Sequence, residues 1–189
     1  DILNNETKQI SLLSSDNVPV SKEFVFDGST GGYYYRDNSG NKKVEVRIKF
    51  KNSESQGIGL PLPKGTVRVY KKDTDGQLQF IGEDTIDHTK KEDNIELLLG
   101  NAFDVTGERT KMSHEEVAKG LFREEYKIKL ENQKETAVKV KVKEHASGYQ
   151  EWNIIKNSAP YDKKSATDFE FEIDVPAKGT AEVIYTIEY

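Results

Sequence analysis

The sequence predicts an all-β protein built as an antiparallel β-sandwich. Three observations carry this. Apolar residues recur with a period of two in segment after segment, the pattern of a half-buried strand. Clusters of Gly, Asn, Asp and Pro separate those segments at short intervals. No strand alternates with a long helix-periodic segment, so a parallel sheet of βαβ units is not expected. The count comes to about ten or eleven strands.

Thr7 to Leu13 reads as a first strand, Ile10 and Leu12 alternating with Gln9 and Ser11, and Asp16-Asn17 turns the chain. Val18 to Asp27 follows, with Val20, Phe24 and Phe26 as inward candidates and Pro19 marking an edge or entry position. Ser29 to Gly32 is a loop into Tyr33, Tyr34 and Tyr35. These rings suit an exposed aromatic platform or a strand end alternating between core and rim; the second is favoured because aromatics prefer strands anyway. Lys42 to Asn52 is the cleanest alternation, Val44, Val46, Ile48 and Phe50 against Lys43, Glu45, Arg47, Lys49 and Lys51.

The most rule-bound stretch runs from Leu60 to Arg109. Pro61 and Pro63 fix an extended entry. Val67 and Val69 alternate with Arg68 and Tyr70, Asp75-Gly76 is a hairpin turn, and Gly82 permits a bulge or a close backbone approach. Leu78 and Phe80 continue the apolar alternation. Ile95, Leu97 and Leu99 form an inward row that Phe103 and Val105 extend up to Gly107.

The words LPLPKGTVRVY, FIGEDTIDHT, LLLGNAFDV and GER, in that order, resemble the C-terminal domain family catalogued as domain of unknown function 4139. The family often has Pro after the Thr of the DHT word, where this chain has Lys90. The resemblance, looser over the rest of the chain, implies a β-rich module at the end of an exported or surface-associated bacterial protein. It implies no established reaction, and a longer N-terminal part, commonly with a coiled coil.

Beyond Arg109, Ser113 to Glu116 fits a capping box and Gly120 a stop, predicting a short helix or ordered loop. Alternation then resumes. Tyr126, Ile128 and Leu130 face in, as do Val138, Val140 and Val142; Trp152 to Ile155 is a shorter strand. Phe169, Phe171, Ile173 and Val175, then Val183, Tyr185, Ile187 and Tyr189, finish the chain. Residues 1–111 thus form one sandwich-like half and 112–189 an immunoglobulin-like half that can share a sheet with the first. Lys127 and Lys129 on one strand, and Lys139, Lys141 and Lys143 on the next, point outward from expected hairpin partners. Glu170, Glu172 and Asp174 form an acidic row expected beside one of them, so that the ridge serves strand choice and solubility.

Composition narrows the function classes. Hydrophobic residues make up 34% and charged residues 32% of the 189, the balance of strands with one solvated face, and 10% aromatics argue against disorder. A net charge of −5 disfavours nucleic acid as a partner. The absence of cysteine excludes disulfides and thiolate sites. No apolar run reaches membrane-spanning length, so this segment is not expected to insert in a bilayer. His88, His114 and His145 lie far apart, which leaves a zinc site without support; Asp73 to Gly76 reads as a hairpin turn rather than a calcium loop. Neither a metal nor a cofactor is expected.

Two candidate sites remain. The densest polar set is Glu83, Asp84, Asp87, His88, Asp104, Glu108 and Arg109, flanked by Gly82 and Gly107. It suits either a cleft where Asp and His lie near Arg, or strand-end charges that satisfy backbone groups; the second is favoured. Tyr149 and Trp152 suit either a sugar-stacking surface or the core of the second half, again the favoured reading. With no catalytic signature, the expected function is a non-catalytic interaction or assembly module. Its partner would be a protein or the N-terminal part of its own chain. The alternative is a carbohydrate-active or other hydrolase domain using carboxylates near Asp84 and His88.

Overall fold

The computed structural model describes residues 14–15, 17–28, 40–146 and 151–189. Within them the chain is all β apart from one 3-10 turn at Glu54–Gln56. The strands are β1 (Ser21–Asp27), β2 (Gly40–Lys51), β3 (Gly65–Lys72), β4 (Leu78–Ile86), β5 (Asn94–Ala118), β6 (Leu121–Asn132), β7 (Val138–His145), β8 (Asn153–Asn157), β9 (Tyr161–Lys163), β10 (Asp168–Val175) and β11 (Gly179–Glu188). The expected strand at Thr7 to Leu13 and the rings of Tyr33 to Tyr35 lie outside the described residues.

Nine strands form one sheet in the order β8-β11-β6-β5-β2-β1-β7-β10-β9, and β3-β4 form a separate two-stranded sheet. The large sheet doubles over on itself. Strands β10 and β11 stand at opposite flanks of that order, yet Phe169 and Phe171 of β10 meet the Tyr185 ring of β11 at 5.4 and 5.5 Å. The apolar rows of β1, β6, β7, β10 and β11 enclose one core between these layers. Each large side chain fully withdrawn from water there contributes about 1.5–3 kcal/mol before chain entropy is counted.

The sheet is mixed rather than wholly antiparallel. β7 runs parallel to β1, from Phe24 opposite Val140 to Asp27 opposite Lys143. Consequently β6 and β7 are not hairpin partners: β6 lies between β5 and β11, and β7 between β1 and β10. Separation of the two lysine rows removes the like-charge opposition a hairpin would create. The acidic row is where charge pairing places it, with Glu170, Glu172 and Asp174 opposite Lys143, Lys141 and Lys139 across β10-β7.

The stretch from Ser113 to Gly120 is strand, not helix. β5 runs unbroken through residue 111 to Ala118 and pairs with β6 down to Ala118 opposite Leu121, so strands from 1–111 and 112–189 share one sheet. Gly120, at φ 78°, makes the turn. Its N–H donates to Glu116 Oε1 at 3.2 Å, so the glutamate that completes the capping box serves a hairpin instead. A two-turn helix is marginal alone, and an existing ladder outcompetes it. Bulges at Met112 and Val117 absorb the misfit between the helix-like pattern and strict alternation.

The outer face of β1, β2 and β5 explains why both faces of β2 are partly buried. Lys141 binds Glu23 at 3.3 Å, Glu23 binds Lys49 at 2.8 Å, Lys49 binds Glu96 at 3.0 Å, and Glu96 binds Arg47, which holds Glu45 at 2.5 Å. Charges alternate along this ladder across four strands.

Candidate functional site

Residues 84 to 88 sit where β4 leaves the hairpin. The hairpin itself follows the sequence pattern. Gly76 N–H donates to Asp73 O at 3.0 Å with φ 84° at Gly76, and Ile81 is the extra residue of a bulge beside Gly82. Leu78 and Phe80, however, are exposed, because the hairpin forms its own sheet and only its other face turns toward β5.

Asp84, Asp87 and His88 are each occupied by nearby backbone. Asp84 Oδ2 accepts the Leu98 N–H at 2.7 Å while Oδ1 accepts the Thr85 N–H at 2.7 Å, pinning the hairpin to β5. Asp87 accepts its neighbour's N–H at 2.8 Å. His88 Nδ1 accepts the Lys64 N–H at 3.3 Å. Glu83 pairs with Arg68 at 2.9 Å. Asp104 is elsewhere, in a bulge of β5, where Lys134 reaches it at 2.8 Å and holds its carboxyl below the usual range.

Arg109 does not join that set. It is buried at an inward position of β5 and grips Glu144 of β7, Nε to Oε2 at 3.0 Å and Nη2 to Oε2 at 2.9 Å. The Tyr185 hydroxyl donates to the same carboxylate at 2.8 Å and accepts from Arg109 at 3.2 Å. The guanidinium lies 3.8 Å from the Tyr126 ring centroid. Burial would discharge Arg109, but Glu144 outweighs it and drives the pKa upward. Burial, reinforced by Glu144, pushes the Tyr185 hydroxyl up; burial, reinforced by Glu124, does the same for Tyr126. The Tyr126 hydroxyl donates to Glu124, which also takes Lys111 at 3.0 Å and meets His114 Nδ1 at 2.8 Å. Burial would raise the Glu124 carboxyl, yet these donors hold it below its ordinary value.

This network was foreshadowed by one signal. Arg109 continues the inward row of Val105 and Gly107, and Glu144 that of Val140 and Val142, so two opposite charges occupy core positions on two strands. Such a pair persists only when each completes the other. Chemically it is a clasp: both partners are covered and mutually satisfied.

Trp152 is buried against Phe169, with ring centroids 5.2 Å apart, and its indole N–H donates to Ala166 O at 2.6 Å. It is core, not a stacking surface. Tyr149 lies outside the described residues. No group of three or more metal-ligating side chains occurs among the described residues, and no helix there is long and apolar enough to cross a membrane. A depression lined by Glu131, Asn132, Gln133, Lys178, Gly179 and Thr180 holds 260 Å³, under the ~300–1,000 Å³ of small-molecule sites.

What stands open is apolar. Tyr70, Leu78 and Phe80 are 50%, 67% and 55% exposed on the hairpin, with Tyr70 and Phe80 edge to face at 5.6 Å. Phe103, expected to continue the inward row, is 99% exposed. Leu99 is the extra residue of a bulge between Leu98 opposite Arg47 and Gly100 opposite Val46, and residues 102–105 have no partner on β2; Ala102 then packs on the core and Phe103 turns outward. No family model, curated protein or solved structure matches the chain.

Proposed function

We propose that this chain is a non-catalytic interaction or assembly module within a larger protein. The hairpin β3-β4 and the Phe103 bulge make the contact. The carrying observation is the uncovered apolar surface at Tyr70, Leu78, Phe80 and Phe103, on a chain where Asp84, Asp104 and Arg109 are engaged in internal pairings. Large apolar side chains left exposed on a polar surface mark a contact site, because removing them from water is favourable. The motif resemblance adds the setting: an exported or surface-associated bacterial protein, with another protein or another part of the same polypeptide as partner. The stretch from 112 on supplies the immunoglobulin-like half, β6 and β11 in one layer and β7 and β10 in the other.

The test is site-specific photocrosslinking in the full-length protein in its own cells. Benzoylphenylalanine at position 80 or 103 is expected to give a discrete adduct of higher mass, and at exposed position 115 none. Absence of an adduct from both 80 and 103 overturns the reading.

A further inference from the structure

We propose that β3 is an acceptor strand: an extended acidic segment of a partner polypeptide adds to its open edge. This rests on the interaction-module reading and names the partner's chemistry. β3 has one sheet neighbour, β4, so the other edge of Gly65–Lys72 stays unpaired among the described residues. The flanks of the large sheet offer less, since β9 has 3 residues and β8 has 5. An open strand edge presents a row of backbone donors and acceptors that an extended peptide can complete.

Charge selects the occupant. β3 carries Arg68, Lys71 and Lys72 and no acid, on a chain of net charge −5. Arg68 is shared with Glu83. No carboxylate among the described residues forms an ion pair with Lys71 or Lys72. Lysines on an edge also deter self-pairing between copies, which points away from a second copy of this strand.

Alternation then gives a pattern. Arg68, Tyr70 and Lys72 share the exposed face with Phe80 and Leu78; Val67, Val69 and Lys71 share the face that is partly covered. An antiparallel strand opposite Lys72 to Val67 is therefore best served by acid, acid, apolar, apolar, acid, apolar. Its apolar residue beside Tyr70 extends the exposed Tyr70-Phe80 face, and the one beside Val69 covers the other.

The probe is a blocked peptide, Thr-Glu-Glu-Val-Val-Glu-Val-Thr, titrated into the labelled protein and read by amide exchange at each residue. Saturable protection at alternate amides of residues 65–72 is expected. Binding should fall about tenfold or more in the triple variant Arg68→Glu/Lys71→Glu/Lys72→Glu, with core amides still protected. Methylation of alternate peptide nitrogens, which leaves the protein untouched, should abolish it. No binding, or binding that survives N-methylation, overturns strand addition. A crosslink from position 80 without protection of β3 overturns strand addition alone; loss of both removes the module reading as well.

Discussion

Arg109 and Glu144 meet at 2.9 Å across the core, one from β5 and the other from β7, strands separated by β2 and β1 in the sheet. The pair ties together elements that the hydrogen-bond ladder does not. Removing one charge strands the other away from water, so Glu144→Ala is expected to cost about 3–5 kcal/mol. Arg109→Met with Glu144→Leu removes both charges and should be far milder. Urea unfolding of the two singles and the double measures this. A double mutant as weak as the sum of the singles would show that the pair acts independently at its two ends.

Gly28 has a steric reason to be glycine. A Cβ there would fall 2.0 Å from Glu144 Oε1. That oxygen belongs to a flexible side chain, but Arg109 binds it and the Tyr185 hydroxyl binds the other oxygen of the same carboxylate, so the group is held in place. Gly28→Ala should therefore destabilise by about 1–3 kcal/mol, the usual cost of overpacking. Combined with Glu144→Ala, most of that increment should vanish, a coupling measurable in a double-mutant cycle. Equal cost in both backgrounds would place the clash elsewhere.

The outer ladder makes a pH prediction through Glu96. Burial would raise its carboxyl, but hydrogen bonds from Arg47 and Lys49 overcome that and hold it at about 2. A carboxyl depressed in the folded state stabilises above its unfolded value near 4.5 and loses that contribution as pH falls towards 2. Solvent screening limits the gain to the order of 1 kcal/mol. Glu96→Gln should lower stability at neutral pH, and its deficit against wild type should shrink between pH 4.5 and 2. High salt should shrink the deficit too. A deficit independent of pH would mean that packing of the stem, not charge, is what Glu96 supplies.

Strand identity was readable wherever alternation was clean, as in Lys42 to Asn52 and Phe169 to Val175, because a period of two has one structural meaning. Partner choice was not. The parallel β1-β7 pairing depends on the path of the chain between distant strands, which no local pattern encodes. At Ser113 to Glu116, local capping chemistry pointed to helix and the long β5-β6 ladder overrode it. Phe103 failed for a related reason: the extra residue at Leu99 shifts the inward phase ahead of it, and strict alternation does not reveal a bulge. In the site, Asp84, Asp87 and His88 stay together because they are neighbours in sequence. Arg109 leaves them because its position in β5 points inward, towards a glutamate 35 residues away.

The hairpin should open as a unit separate from the sandwich. Its exposed face holds Tyr70, Leu78 and Phe80, so packing on that side contributes little. Attachment falls to a few contacts. Asp84 takes the Leu98 N–H, and Leu62 and Thr89 exchange backbone bonds at 2.8 and 2.9 Å. Gly82 approaches so closely that an added Cβ would lie 2.7 Å from Leu99 O. Asp84→Ala leaves two backbone donors without their acceptor. Each such bond contributes about 0.5–1.5 kcal/mol net, or somewhat more where the acceptor is charged. Amide exchange in β3 and β4 should therefore quicken about tenfold or more, while Ile128, Val142 and Phe171 in the core keep their protection. Gly82→Ala should act in the same direction by wedging the hairpin off β5. An equal loss of protection in hairpin and core would show that β3-β4 and the sandwich unfold as one.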